Sequence, residues 1–240
     1  MELLKIEFSK VKKSSILSLA ISIAALSVII ALNVVKNLGN IVEAKYVYLE
    51  LLNFSAISYL VMFLPLLCIY TACNITKIEN ENSGWKQLML LPIKKSSVYM
   101  AKCKLMMTTL AISITSYIIS ILLGAMYLNK RFYFSYELLV YGVEIFITTL
   151  PIIILLFIIG RRFVSIVPVI SVGLGMLITT IFIVQSKFWI YAPWTYSMAL
   201  IGGGLGYGEK VLAVFISISL SLLMFIIDYI SFKNEDVKEK

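Results

Sequence analysis

The stretch "LLVYGVEIFITTLPIIILLFIIGRRFVSIVPVISVGLGMLITTIFIV", residues 138–184, decides the fold. Two apolar runs, 138–159 and 163–184, are separated only by Gly160, Arg161 and Arg162. A helix needs about 20 apolar residues to cross the hydrocarbon core of a bilayer, and each run supplies them. Neither run shows the apolar/polar alternation of a barrel strand. The pair reads as a tight helical hairpin in a membrane, with a glycine and two arginines at its turn.

Four further runs of the same kind flank the hairpin, at 16–35, 55–75, 105–127 and 211–230. Composition agrees with this reading. The chain of 240 residues is 60% hydrophobic and 14% charged, against about 45–50% apolar and 25% charged for soluble domains. The fold class expected is therefore an all-α integral membrane protein with six transmembrane helices in one membrane domain over 1–240. The first apolar run follows a polar lead and exceeds the ~7–15 residues of a signal-peptide core, so it reads as a retained anchor.

Orientation follows from the basic residues. Of the 21 lysines and arginines, only Lys36, Lys45, Lys130, Arg131, Lys187 and Lys210 fall on the side opposite the N-terminus. The other fifteen share the N-terminal side, which the positive-inside rule assigns to the cytoplasm together with both termini. The net charge of +8 then reflects topology and contact with anionic lipid rather than binding to nucleic acid.

Composition also removes whole classes of chemistry. Histidine is absent, so the commonest general base and metal ligand are missing. Cys68, Cys73 and Cys103 form no CxxC pair and read as small apolar packing residues. No metal or cofactor site is expected. Inside the spans, Ser113, Ser116 and Ser120 share one face of the third run, and Ser18 and Ser22 share one face of the first. Small hydroxyl residues let helices approach closely, so bundle packing explains them. Pro65, Pro151 and Pro168 are expected to kink their helices. Glu144 and Asp228 are the acids within spans, each nearer an end than the centre, where a carboxylate can either reach headgroup water or serve a function.

Three segments outside the spans carry pattern. Residues 1–14, "MELLKIEFSKVKKS", place Leu4, Phe8 and Val11 on one helical face and Lys5, Ser9, Lys12 and Lys13 opposite. That division suits an amphipathic interfacial helix, although a merely basic lead accounts for the lysines. The cytoplasmic loop 77–104 contains "ENSGWKQLMLLPIKKSSVYMAK". There Ser83 can cap a short helix, Trp85, Leu88 and Met89 share a side, and Pro92 ends the run. Trp85 either anchors at the membrane interface or presents an aromatic hot spot to a partner. In the outer loop 185–210, Trp189, Tyr191, Trp194 and Tyr196 read as an aromatic belt or as a possible substrate-contact surface. The stretch "GGGLGYGEK" in that loop misses the P-loop spacing, because Glu209 separates Gly208 from Lys210, and it reads as a flexible loop.

The acidic residues before a Trp-Lys pair, followed by "LMLLPIKKSSVYMAK", resemble the first cytoplasmic loop of ABC-2-type transporter permeases. The resemblance is in particular to the lantibiotic-immunity and bacitracin-resistance group, whose opening looks like "LLKIEFSKVKKS" here. The resemblance covers about the first hundred residues in motif and the rest in topology. It implies a cytoplasmic coupling helix between the second and third spans, with Glu79, Glu81, Trp85, Lys86, Leu88 and Met89 forming the contact with a cytoplasmic ABC ATPase. The implied partners are that ATPase in two copies, a second six-span permease, membrane lipid and a cationic antimicrobial peptide as substrate. The implied function is expulsion of such peptides from the cell membrane, conferring immunity or resistance. ATP and Mg would be bound by the ATPase, so this chain itself is expected to be no enzyme. The Lys-, Ile- and Asn-rich composition suits a Gram-positive bacterium. An exporter of another hydrophobic or lipid-like substrate is the alternative. A secondary transporter would call for a central charge in the membrane. An intramembrane aspartyl protease would call for two facing acids, and Glu144 and Asp228 fall towards opposite sides.

Overall fold

A computed structural model describes residues 16–37, 46–80, 95–129, 136–202 and 205–234. The expected interfacial helix at 1–14 lies outside the described residues, as do Glu81, Trp85, Lys86, Leu88 and Met89. The described chain is helical, without strands. In order come α1 (Ile16–Asn37), α2 (Val47–Ala56), a π-helical segment (Ile57–Phe63) and α3 (Leu64–Asn80). Then follow α4 (Lys95–Asn129), α5 (Tyr136–Arg162), α6 (Val167–Ile183), α7 (Tyr196–Gly202) and α8 (Tyr207–Lys233). Two short 3₁₀ turns, Lys187–Tyr191 and Pro193–Thr195, join α6 to α7. Among the described residues five helices are long and apolar enough to cross a membrane, while α6 is apolar but has 17 residues.

The second apolar run is part of a longer rod. α2, the π segment and α3 are continuous, so the helix begins at Val47, before the run expected at 55. Pro65 explains the wide turn in its middle. Proline donates no backbone hydrogen bond and its ring crowds the carbonyl four residues back. Just before it, the Leu64 N–H bonds to the Tyr59 carbonyl, five residues back, which is the π pattern.

The widened turn places Tyr59 in the core, stacked on Tyr117 of α4 with centroids 4.0 Å apart. The Tyr59 hydroxyl pairs with Ser113 Oγ at 2.8 Å, and Ser113 Oγ also donates to the Ala20 carbonyl of α1. Tyr117 completes the cluster through Ser55 at 2.7 Å. The serine face of the third run therefore does more than permit close packing: Ser113 ties three helices together. The three cysteines are buried.

The other prolines differ from expectation in part. Pro151 lies inside α5. Pro168 is at the start of α6 and does not kink it, because a proline in the first turn removes only a hydrogen bond that the helix end lacks anyway. Consequently the fifth helix starts at Val167 rather than at Phe163, with Ser165 Oγ accepting the Val167 N–H. Arg161 and Arg162 belong to the last turn of α5, not to a loop.

Glycines set the closest approaches. A Cβ on Gly160 would sit 2.7 Å from Thr76 Oγ1 and 2.8 Å from its Cγ2, so α5 meets α3 nearly backbone to side chain. Gly173 of α6 meets Ile69 of α3 in the same manner. Helix directions follow from the contacts. Tyr48 at the start of α2 bonds Glu137 at the start of α5 at 3.1 Å. Lys210 near the start of α8 lies over Tyr141 of α5. The C-terminal ends of α3, α5 and α8 meet the N-terminal end of α4 at the opposite pole of the bundle.

The segment after α6 is not a superficial loop. Ala192, Thr195, Tyr196, Ser197, Ala199 and Leu200 are buried. Ser197 pairs with Thr148 and Thr149 inside α5 at 3.2 and 3.3 Å. A 17-residue helix rises only about 26 Å, short of the ~30 Å hydrocarbon core. The folded segment packs against α5 directly after α6.

Candidate functional site

Both ends of the segment 81–94 are helix termini, and buried charge fixes each of them. Glu79 stands in the last turn of α3 and Lys102 in the second turn of α4. Lys102 Nζ donates to Glu79 Oε1 at 2.8 Å, with the two residues 1% and 3% exposed. Burying an acid and a base this deeply is costly unless their charges are paired.

Asn80, next along α3, donates from Nδ2 to the carbonyls of Gly160, Phe163 and Val164 at 3.2, 2.9 and 3.2 Å. These carbonyls belong to the end of α5 and the turn into α6, which otherwise lack intrahelical donors. The Asn80 side chain thus caps the α5–α6 hairpin from the helix that enters segment 81–94. Gly160 makes that approach possible by presenting no side chain to Thr76.

On the α4 side, Tyr99 is buried among Phe157, Phe225, Tyr229 and Phe232, with ring centroids 5.4–5.8 Å away. Its hydroxyl donates to Asp228 Oδ2 at 3.0 Å. Asp228 also accepts from Arg161, at 2.5 Å from Nη2 and 3.3 Å from Nε. The guanidinium carbon lies 5.3 Å from the centre of the Phe232 ring. Arg162, exposed, approaches the same carboxylate to 4.0 Å. A fork of Arg donors on one carboxylate, plus a phenol, satisfies most of the lone pairs that burial would leave empty.

Asp228 is fully buried. Of the two alternatives for this carboxylate, contact with water does not apply in the bundle, where Arg161 and Tyr99 supply its hydrogen bonds. Glu79 is buried as well, and its Oε1 faces Lys102 rather than the surface. The remaining residues expected at the ATPase contact are outside the described ones.

Sequence places Arg161 at the hairpin turn but assigns no site role to it or to Tyr99, Lys102 and Asn80. A signal existed. Arg161 and Asp228 end two apolar runs on the same predicted side of the membrane with opposite charge, and Glu79 and Lys102 flank one loop in the same way.

At the other pole, the four expected aromatic residues separate. Tyr196 is buried, and its hydroxyl donates to the Ile190 carbonyl. Trp194 donates from Nε1 to Thr179 at 3.1 Å, and Trp189 packs edge-on against Tyr196 with centroids 5.7 Å apart. Tyr191 is exposed, 81% accessible. Gly206 and Glu209 do not extend a flexible loop, because Glu209 Oε2 accepts the Gly206 N–H at 2.9 Å and starts α8. Glu144 stands on α5 with Oε2 buried and without a hydrogen-bond partner.

Among the described residues no group of acids and cysteines is placed to hold a metal ion. The geometry at the 81–94 pole is that of a mechanical junction. The ends of α3 and α4 are tied through ion pairs and a cap to the α5–α6 turn and to α8.

No curated protein and no solved structure matches the chain. The family model for ABC-2 family transporter proteins matches residues 3–186, from the N-terminal segment through α6. α8, which carries Asp228, lies beyond the matched residues. The match spans well over half of the 240 residues, and the chain belongs to the ABC-2 transporter family.

Proposed function

We propose that this chain is a six-span permease subunit with both termini in the cytoplasm, driven by a separate ABC ATPase docked on segment 81–94. The observation that carries the reading is the buried junction at that pole. Glu79–Lys102 and Asn80 lock the helix ends flanking the segment to the α5–α6 turn. Tyr99 and Arg161 extend the connection to α8 through Asp228. A partner pushing on 81–94 moves this assembly as one piece.

In this reading α6 and the folded segment behind it make the fifth crossing. The ATPase, in two copies, binds ATP and Mg and performs hydrolysis, and this chain contributes no catalytic group. A second six-span permease completes the membrane portion in the plasma membrane of a Gram-positive bacterium. The substrate is a cationic antimicrobial peptide removed from the outer leaflet. The "LMLLPIKKSSVYMAK" resemblance supports that choice. So does the outer pole, where Phe188 and Tyr191 are exposed on a firmly packed base.

The test is co-expression with an ABC ATPase subunit from the same genome, followed by affinity purification and an ATPase assay in nanodiscs. The ATPase should co-purify and its turnover should rise on addition of the peptide. Failure to co-purify any ATPase, or robust turnover by this chain alone, would sink the proposal.

A further inference from the structure

We propose that the groove between the starts of α5 and α8 is a binding site for an aminophospholipid. Glu144 receives the lipid ammonium and Lys210 its phosphate. The groove has a volume of about 680 Å³ and, among the described residues, is lined by these two helices, a size within the usual range for small-molecule sites.

Three observations converge there. Glu144 Oε2 is buried and has no hydrogen-bond partner, the one such side-chain atom among the described residues. A buried acceptor left empty is costly, and more so when charged, so a donor from outside the chain is the missing element. Lys210 supplies the opposite sign in the same groove, with Nζ 5.5 Å from the centre of the Tyr141 ring. Tyr141 is three residues before Glu144 and therefore one turn away on the same face of α5. The two charges thus stand at adjacent turns of one groove.

The walls indicate how an occupant arrives. Val140, Val143, Phe215 and Ile218 are exposed, and they line the groove beside the two charges. An apolar rim of this kind faces acyl chains, so the ligand enters sideways from the bilayer. The required ligand carries an N–H-donating cation, an anion close to it and an apolar body. An ethanolamine phospholipid has all three. A choline phospholipid has the same charges, but its quaternary nitrogen donates no hydrogen bond to Glu144. A cationic peptide lacks the anion that Lys210 calls for.

Depth is compatible. α5 has 27 residues and rises about 40 Å, roughly 10 Å more than the hydrocarbon core. Glu144 stands about 12 Å from its first residue. Shared evenly between the two ends, the excess leaves Glu144 just below the headgroup boundary, where its side chain tilts outward along the helix.

The experiment uses the purified full chain in mild detergent, titrated with short-chain phosphatidylethanolamine and phosphatidylcholine and read by native mass spectrometry. Wild type should bind the ethanolamine lipid about tenfold or more tightly than the choline lipid, as loss of one charge-assisted hydrogen bond implies. Glu144→Gln should abolish that preference, and Lys210→Gln should weaken both lipids. Equal binding of the two lipids by wild type overturns the assignment, and this arm needs no variant to fold. Retained preference in Glu144→Gln also overturns it. So would a lysine-bearing amphipathic peptide that binds through Glu144 while the ethanolamine lipid does not. No ATPase enters the measurement, so its outcome is independent of the coupling role proposed above.

Discussion

Arg161 and Asp228, 67 residues apart in the chain, meet with Nη2 2.5 Å from Oδ1 at the buried end of α5 and α8. Removing one partner of a buried ion pair typically costs about 3–5 kcal/mol, whereas replacing both by apolar groups is often neutral. Asp228→Ala should therefore lower the unfolding temperature and the membrane level of the chain. Arg161→Leu combined with Asp228→Leu should recover part of both, because the buried Tyr99 hydroxyl loses its acceptor. If the pair also transmits motion, the recovered double variant will still bind the ATPase but lose peptide-stimulated turnover. Thermal unfolding in nanodiscs beside an ATPase assay separates the two effects.

Glu79 and Trp85 belong to the same expected contact yet should behave differently. The Glu79 carboxylate is held by Lys102 inside the bundle. Glu79→Ala should destabilise the isolated chain in the absence of any ATPase. Trp85→Ala should leave the isolated chain unchanged and weaken ATPase co-purification, by about 30-fold if it is a hot spot worth ~2 kcal/mol. Both are read by unfolding of the chain alone and by pull-down. Equal loss of stability in the two variants would contradict the division.

Apolar runs of about 20 residues made the spans legible, because a bilayer demands that length. Lysine placement made the orientation legible as an expectation. Three structural details were less so. The π turn at Tyr59 depends on how Pro65 is accommodated within a continuous rod, and a proline alone does not say whether a helix bends, widens or starts. Pro168 shows the last case. The folded segment after α6 was hidden because its aromatics match a headgroup belt equally well, and only contacts such as Trp194–Thr179 distinguish packing from anchoring. The ion pairs were hidden because charges near run ends look solvated until a partner of opposite sign is found at the same depth.

Gly160 offers a test of helix approach at the junction. A methyl group there would meet Thr76 Oγ1 at 2.7 Å, and overpacking of this kind typically costs about 1–3 kcal/mol. Gly160→Ala should lower the unfolding temperature, and Thr76→Ala in the same chain should restore most of it by removing the opposing atoms. The double variant also removes the Thr76 hydroxyl bond to the Ala72 carbonyl, a bond within one helix whose loss is minor. No restoration would mean that α5 and α3 are not held at this separation.

The buried Tyr59–Ser113–Ala20 chain gives the last prediction. Tyr59→Phe removes the hydroxyl while keeping the ring stacked on Tyr117. Ser113 retains its bond to the Ala20 carbonyl, so no buried donor is stranded. Interhelical hydrogen bonds in membranes average about 0.6 kcal/mol and reach about 1.7, so the variant should unfold only slightly more easily. Ser113→Ala is the harsher change. It leaves the Tyr59 hydroxyl buried without its partner and frees the Ala20 carbonyl of its cross-helix donor, so it should cost more than Tyr59→Phe. The double variant should then be no worse than Ser113→Ala alone, because the stranded hydroxyl is gone. Unfolding temperatures of the three variants in nanodiscs decide the matter. Strict additivity would show that Tyr59 and Ser113 do not act as a pair, and that the widened π turn aims Tyr59 for stacking alone.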